Sequence, residues 1–158
     1  IEWHMIGHVQ TNKVKYMAPF VSLIHTVDSI KLLREINKQA AKHDRVIECL
    51  LQIKIAEEES KFGMDEVDAL ELLASEIATT LPHVTIVGLM GMATFTEDKT
   101  QVEAEFNKLS IIYKDVKKKH PKLTILSMGM SGDFTLALEH GSNMVRIGSS
   151  IFGYRNYN

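Results

Sequence analysis

Short apolar runs and amphipathic segments alternate along the whole of this sequence. Runs of strand length fall at 2–6, 23–26, 46–55, 85–91, 124–128 and 143–147. Several are almost continuously apolar, as expected of strands covered on both faces of a parallel sheet. Between them the apolar spacing turns helical. Residues 28–43 place Ile30, Leu33, Ile36 and Ala40 on one side, and residues 65–81 do so with Val67, Leu70, Leu73 and Ile77 before Pro82. Residues 101–119 carry Val102, Phe106, Leu109, Tyr113 and Val116, and a last predicted helix over 133–140 stops at Gly141, a natural residue beyond a helix end.

The β-α-β-α order predicts an α/β fold with a parallel sheet and right-handed crossovers. Six strands are expected, with no linker, internal repeat or second domain. Two architectures satisfy this order: a doubly wound open sheet, or part of a (β/α)8 barrel. A complete barrel usually takes roughly 250 residues, so a chain of 158 residues is about two β/α units short. It also opens directly on the strand-like Ile1-Glu2-Trp3-His4-Met5-Ile6, without initiator methionine, polar lead-in or helix cap. The expectation is a single barrel domain over residues 1–158 that lacks its N-terminal units.

Composition narrows the partners. Hydrophobic residues make up 45% and charged residues 24%, values of an ordinary globular protein. A net charge of −2 provides no bulk field for nucleic acid or anionic membrane. No apolar stretch approaches the roughly 20 residues of a membrane span, and no signal-peptide pattern opens the chain. The lone Cys49 lies in the apolar Glu48-Cys49-Leu50-Leu51 and reads as a buried thiol in a reducing compartment, the cytoplasm. The basic run Lys117-Lys118-Lys119-His120 reads as a solvated helix C-terminus, favoured by the helix dipole.

Barrels hold their ligands at the C-terminal strand ends, and phosphate often at the loops after the last two strands. Here those ends are Ser127-Met128-Gly129-Met130-Ser131-Gly132-Asp133 and Val145-Arg146-Ile147-Gly148-Ser149-Ser150. Glycines let backbone approach an anion, hydroxyls donate to its oxygens, and a helix start adds free N–H groups. Ser131 reads equally as a helix cap. Arg146 sits inside an apolar strand, where a guanidinium needs either a distant carboxylate or an acceptor on a ligand. Among seven histidines, His4 and His8 are four apart, but no His-Glu-x-x-His or Cys-x-x-Cys pattern occurs, and no metal site is expected. His4 reads as a hydrogen-bonded interior residue near the ligand, and His8, with Gln10, Asn12 and Lys13, as a loop at the barrel mouth. Glu57-Glu58-Glu59 reads as a solvated loop.

The segment Trp3-His4-Met5-Ile6-Gly7-His8-Val9-Gln10-Thr11-Asn12-Lys13 resembles a signature of the pyridoxal phosphate homeostasis proteins. Ser127-Met128-Gly129-Met130-Ser131 and Met144-Val145-Arg146-Ile147-Gly148-Ser149 resemble two more, and Lys61-Phe62-Gly63 and Gly88-Leu89-Met90 fit as well. The likeness runs from Ile1 to Tyr154 in order and spacing. It implies the (β/α)8 barrel of the alanine racemase type, with pyridoxal 5'-phosphate as cofactor. By the same resemblance, Ser131, Gly148 and Ser149 hold the phosphate, Arg146 faces the pyridine nitrogen, and Met130, Ile147 and His4 flank the cofactor. Ser149 stands where members often carry threonine, which keeps the hydroxyl.

One departure matters. The lysine that forms the family's Schiff base lies in a "vSKt" segment on the first barrel strand, and nothing here matches it. The glycine–glutamate–asparagine segment expected after the second strand is missing too. No catalytic residue is therefore assigned, and the lysine is expected upstream. The resemblance implies a non-catalytic protein that binds, buffers or delivers pyridoxal phosphate. The alternative is a racemase-like enzyme on amino acids, which would also need a tyrosine from a second domain. A phosphate-binding barrel for sugar or aldol chemistry ranks third. A barrel short of strands exposes sheet edges, so self-association is expected.

Overall fold

The computed structural model describes residues 1–58, 62–75 and 80–153. Its elements in chain order are β1 (Trp3–Met5), a 3-10 turn (Thr11–Lys13), α1 (Val14–Met17), β2 (Val21–Val27), α2 (Ile30–Ala41) and β3 (Ile47–Gln52). There follow α3 (Glu66–Ala74), β4 (Val84–Met90), α4 (Lys99–Lys119), β5 (Ile125–Met130), α5 (Phe134–Glu139), β6 (Met144–Arg146) and α6 (Ser149–Phe152). All six predicted strands are present, trimmed or extended by a few residues at their ends.

The strands hydrogen-bond in sequence order from β1 to β6, and every neighbouring pair is parallel. A doubly wound sheet reverses its order at a switch point. An unbroken order is singly wound, as in a (β/α)8 barrel, and it resolves the two architectures in favour of a partial barrel.

Residue alternation along the strands splits the interior in two. Val21, Ile24, Cys49, Leu51 and Leu89 point outward and pack with Leu32, Leu33, Ile36, Phe106 and Leu109 of the helices. Leu23, Leu50, Val87 and Met90 form a smaller cluster on the other face, the concave side of the half-barrel. Cys49 is fully buried and burial pushes its thiol pKa up, so it is an inert core group.

The helix ends follow local chemistry. Ser29 caps α2 by accepting from the Leu32 N–H, Asp98 caps α4 by accepting from the Thr100 and Gln101 N–H groups, and Gly141 beyond α5 has φ +90°. The α4 face of Val102, Phe106, Leu109, Tyr113 and Val116 is buried as its spacing predicts.

The segment 65–81 departs from expectation. Its helix stops at Ala74, because Ser75 turns extended (φ −79°, ψ 155°) and its hydroxyl donates to the Leu72 carbonyl at 2.7 Å. Of the predicted face, Leu73 is buried as expected, whereas Val67 and Leu70 are 64% and 40% exposed, and Ala69 and Leu72 are buried in their place. Backbone pairing of Met64 with Ile53 sets where α3 starts, and from that start the 69/72/73 side falls toward the sheet. Ile77, Glu59, Lys61 and Tyr154 lie outside the described residues. The short α1 and α6 carry no sequence pattern long enough to announce them.

Candidate functional site

The turns after β5 and β6 meet at the C-terminal end of the sheet. Gly129 has φ +99°, and a Cβ there would lie 2.7 Å from the Ala137 Cβ, so glycine is required where β5 bends toward α5. Asp133 Oδ1 then accepts from the Met130 N–H at 2.6 Å and closes the turn on itself. Ser131 does not cap α5. Its Oγ reaches across to the next turn and accepts from the N–H of Gly148 at 3.1 Å and of Ser150 at 3.3 Å.

This junction forms one wall of a cavity of about 500 Å3, to which Met130, Ser131, Arg146, Gly148 and Ser149 all contribute. The loop after β4 adds Thr94 and Phe95 to its lining. Ile147 and His4 do not line it. A Cβ built on Gly132 or Gly148 would meet nothing within 4 Å, so these glycines leave backbone open to the cavity rather than serving packing.

Arg146 is the one charged side chain set deep in that wall, at 8% exposure. No carboxylate pairs with it among the described residues. Nη1 donates to Ser127 Oγ at 2.8 Å, and Nη2 donates to the Gly91 carbonyl at 3.2 Å. Burial draws its pKa down to about 10, opposed by the charge of Asp133, so the guanidinium stays charged at neutral pH. Of the two sequence readings, the distant ion pair is absent among the described residues, and two neutral acceptors hold the cation instead.

Three further residues shape the site without having been singled out by their sequence. Ser127 is fully buried and lies 3.2 Å from the Nδ1 of His25, which is itself buried. Burial, Arg146 and His4 together depress the His25 pKa to about 3, so the ring is neutral. Its Nε2 lies 3.2 Å from His4 Nδ1. His4 thus has the predicted hydrogen bond, but on β1 it is exposed rather than interior. The available signal was a histidine inside the apolar run Leu23-Ile24-His25, which demands a buried partner.

The third is Glu105, buried on α4. It accepts from the Thr94 N–H and hydroxyl, both at 2.7 Å, from the Glu57 N–H at 3.1 Å and from Gln101 Nε2 at 3.3 Å. One carboxylate therefore fastens the loops after β3 and β4 to the helix behind them. At the neighbouring part of the mouth, His8 stacks on Phe62 at 3.8 Å, with its Nδ1 3.4 Å from Asp28 Oδ2.

The donor set fits an anionic ring ligand. A hydroxyl, N–H groups and unobstructed glycine backbone suit phosphate oxygens, and the guanidinium suits a ring-nitrogen lone pair beside them. Fold and site together define a partial β/α barrel with a donor-rich pocket beyond its last two strands.

Comparison with known proteins agrees. The chain belongs to the family of the alanine racemase N-terminal domain, whose model matches residues 2–156. It is similar to the pyridoxal phosphate homeostasis proteins of Aquifex aeolicus, 40% identical over 158 residues, and Vibrio alginolyticus, 39% identical over 157. Each comparison takes in 99% of this chain but only 68% and 66% of those relatives, so the chain spans about two thirds of their length. The solved structure of PipY from Synechococcus elongatus PCC7942 with pyridoxal phosphate bound superposes with a TM-score of 0.81 at 30% identity, over 97% of this chain and 71% of that one.

Proposed function

We propose that this chain binds pyridoxal 5'-phosphate and serves its buffering or delivery in the cytoplasm, without turnover of a substrate. Arg146 carries the reading: a buried, charged guanidinium, without a carboxylate partner among the described residues, stands on the same cavity wall as the Ser131–Gly148 junction. Ser131, Gly148 and Ser149 would hold the phosphate, with Met130 and Ile147 beside them. Arg146 would face the ring nitrogen, and His4 would act from behind it. Pyridoxal phosphate supplies an electron-withdrawing ring, and an arginine at its nitrogen keeps that nitrogen unprotonated and the ring a poor electron sink. The relatives named as homeostasis proteins, and PipY with its bound cofactor, support the same reading.

Binding competition tests it. Pyridoxal phosphate should bind at least about tenfold more tightly than pyridoxal, a difference of roughly 1.4 kcal/mol from the phosphate contacts. Ser131→Ala should narrow that gap while leaving pyridoxal affinity unchanged. Equal affinity for the two ligands would refute the phosphate site. No lysine lines the cavity among the described residues, so borohydride treatment of the mixture should leave no single lysine stoichiometrically modified. Conversion of L-alanine to D-alanine by the loaded chain would favour the racemase alternative.

A further inference from the structure

Four side chains cross the concave face of the sheet in one hydrogen-bonded line: Arg146 on β6, Ser127 on β5, His25 on β2 and His4 on β1. The separations are 2.8 Å, 3.2 Å and 3.2 Å in that order. Curvature of the sheet makes this possible, since β2 and β5 are not neighbours and the line spans the space in front of β3 and β4.

The first bond fixes the direction of the rest. A guanidinium can only donate, so Ser127 Oγ accepts from Arg146. Ser127 has one proton, and among the described residues its hydroxyl has one other partner, His25 Nδ1. If His25 donated at Nδ1, that buried proton would be left without an acceptor. Buried polar groups are seldom left so. Ser127 therefore donates to His25 Nδ1, His25 is protonated at Nε2, and Nε2 donates to His4 Nδ1. Each bond polarises the next in the same sense. A protonated His25 would turn a second donor onto Ser127, facing the charge of Arg146, and its depressed pKa agrees with the neutral form.

The geometry points to His25 as a positioning residue: by accepting the Ser127 proton, it keeps an oxygen lone pair turned toward Arg146 and so fixes the guanidinium in the cavity wall. His4 ends the line as the acceptor of the His25 Nε2 proton. What Arg146 then meets in the cavity rests on the proposed cofactor, but the direction of the line belongs to the protein alone.

The test needs no ligand. In the 15N-labelled chain at neutral pH, the ring nitrogens of His25 should report a single tautomer, protonated at Nε2 and bare at Nδ1. Arg146 and His4 are the titratable groups acting on the ring. An Nδ1–H tautomer, a mixture, or a titration near the ordinary value of about 6.5 would overturn the inference. Ser127→Ala should abolish the tautomer bias. His25→Phe should speed exchange of the Arg146 side-chain N–H protons by about tenfold, and His25→Asn, whose Oδ1 takes the place of Nδ1, should slow it again. Exchange that is unchanged in the folded phenylalanine variant would reduce His25 to packing and overturn the role. Failure of pyridoxal phosphate binding would leave the tautomer result standing, so the two readings fail separately.

Discussion

At the residue scale, the chemistry of the site is a matter of which donors are committed and which remain free. Arg146 spends two donors on Ser127 and Gly91, and the flat fork of the guanidinium suits two acceptors in fixed directions. A lysine cannot reproduce that fork. Arg146→Lys should therefore lose about 1–2 kcal/mol of unfolding free energy, from one hydrogen bond lost and one acceptor left buried, as measured by urea titration. Glu105→Gln turns a group that only accepts into one that also donates, against four donors. It should cost about 1–3 kcal/mol and loosen the Thr94 loop, visible as faster amide exchange at Thr94. The residues around the pocket were legible where a short run holds them together: Met130 and Ser131 in one turn, and Arg146, Gly148 and Ser149 in the other, although Ile147 between them does not line it. Ser127 and His25 were not, because 102 positions separate them and only the curvature of the sheet makes them touch.

At the scale of elements, strands were easier to read than the helices between them. Apolar runs buried on both faces announce themselves, and all six appeared in order. The α3 segment misled because an apolar spacing that fits a helix says nothing of where the helix begins. The Met64–Ile53 pairing, a contact across the loop, fixes that start and turns Val67 and Leu70 outward. Replacing Val67 with glutamine should thus leave stability within about 0.5 kcal/mol, whereas Leu72→Ala should lose about 2–5 kcal/mol, both by thermal or urea unfolding. The bend between β5 and α5 admits less change than any surface position. Gly129→Ala combines a left-handed φ with a contact 2.7 Å from Ala137, and a loss of about 2–4 kcal/mol is expected from strain and overpacking together.

At the scale of the molecule, two properties follow from the curved sheet. Among the described residues β1 and β6 each pair on one side only, and Trp3 and Ile6 expose apolar surface beside the first edge. Sedimentation should show association that grows with concentration, and a monodisperse monomer would argue against edge pairing. The second property is acid sensitivity. In the unfolded chain His25 takes up a proton near pH 6.5, but in the folded chain only near about 3. Its contribution to stability is complete above about pH 6.5 and is lost as pH falls toward 3, by at most about 1.4 kcal/mol per pH unit. The stability gap between the wild type and His25→Phe, measured by urea unfolding, should narrow from pH 7 to pH 4.

The same two pKa values keep the charge of the Arg146–His25 line constant. His25 gains its proton near 3 and Arg146 yields its own near 10, so across the whole physiological range this pair presents one fixed positive charge and no titration. This pair exchanges no proton on binding, whereas a phosphate ester changes charge near pH ~6. Calorimetry in buffers of different ionisation heat should find protons released on binding around pH 6, from the phosphate and the ring nitrogen of the guest. Such a pocket works like a fixed electrode, to which the acid–base state of its visitor, not its own, sets the grip.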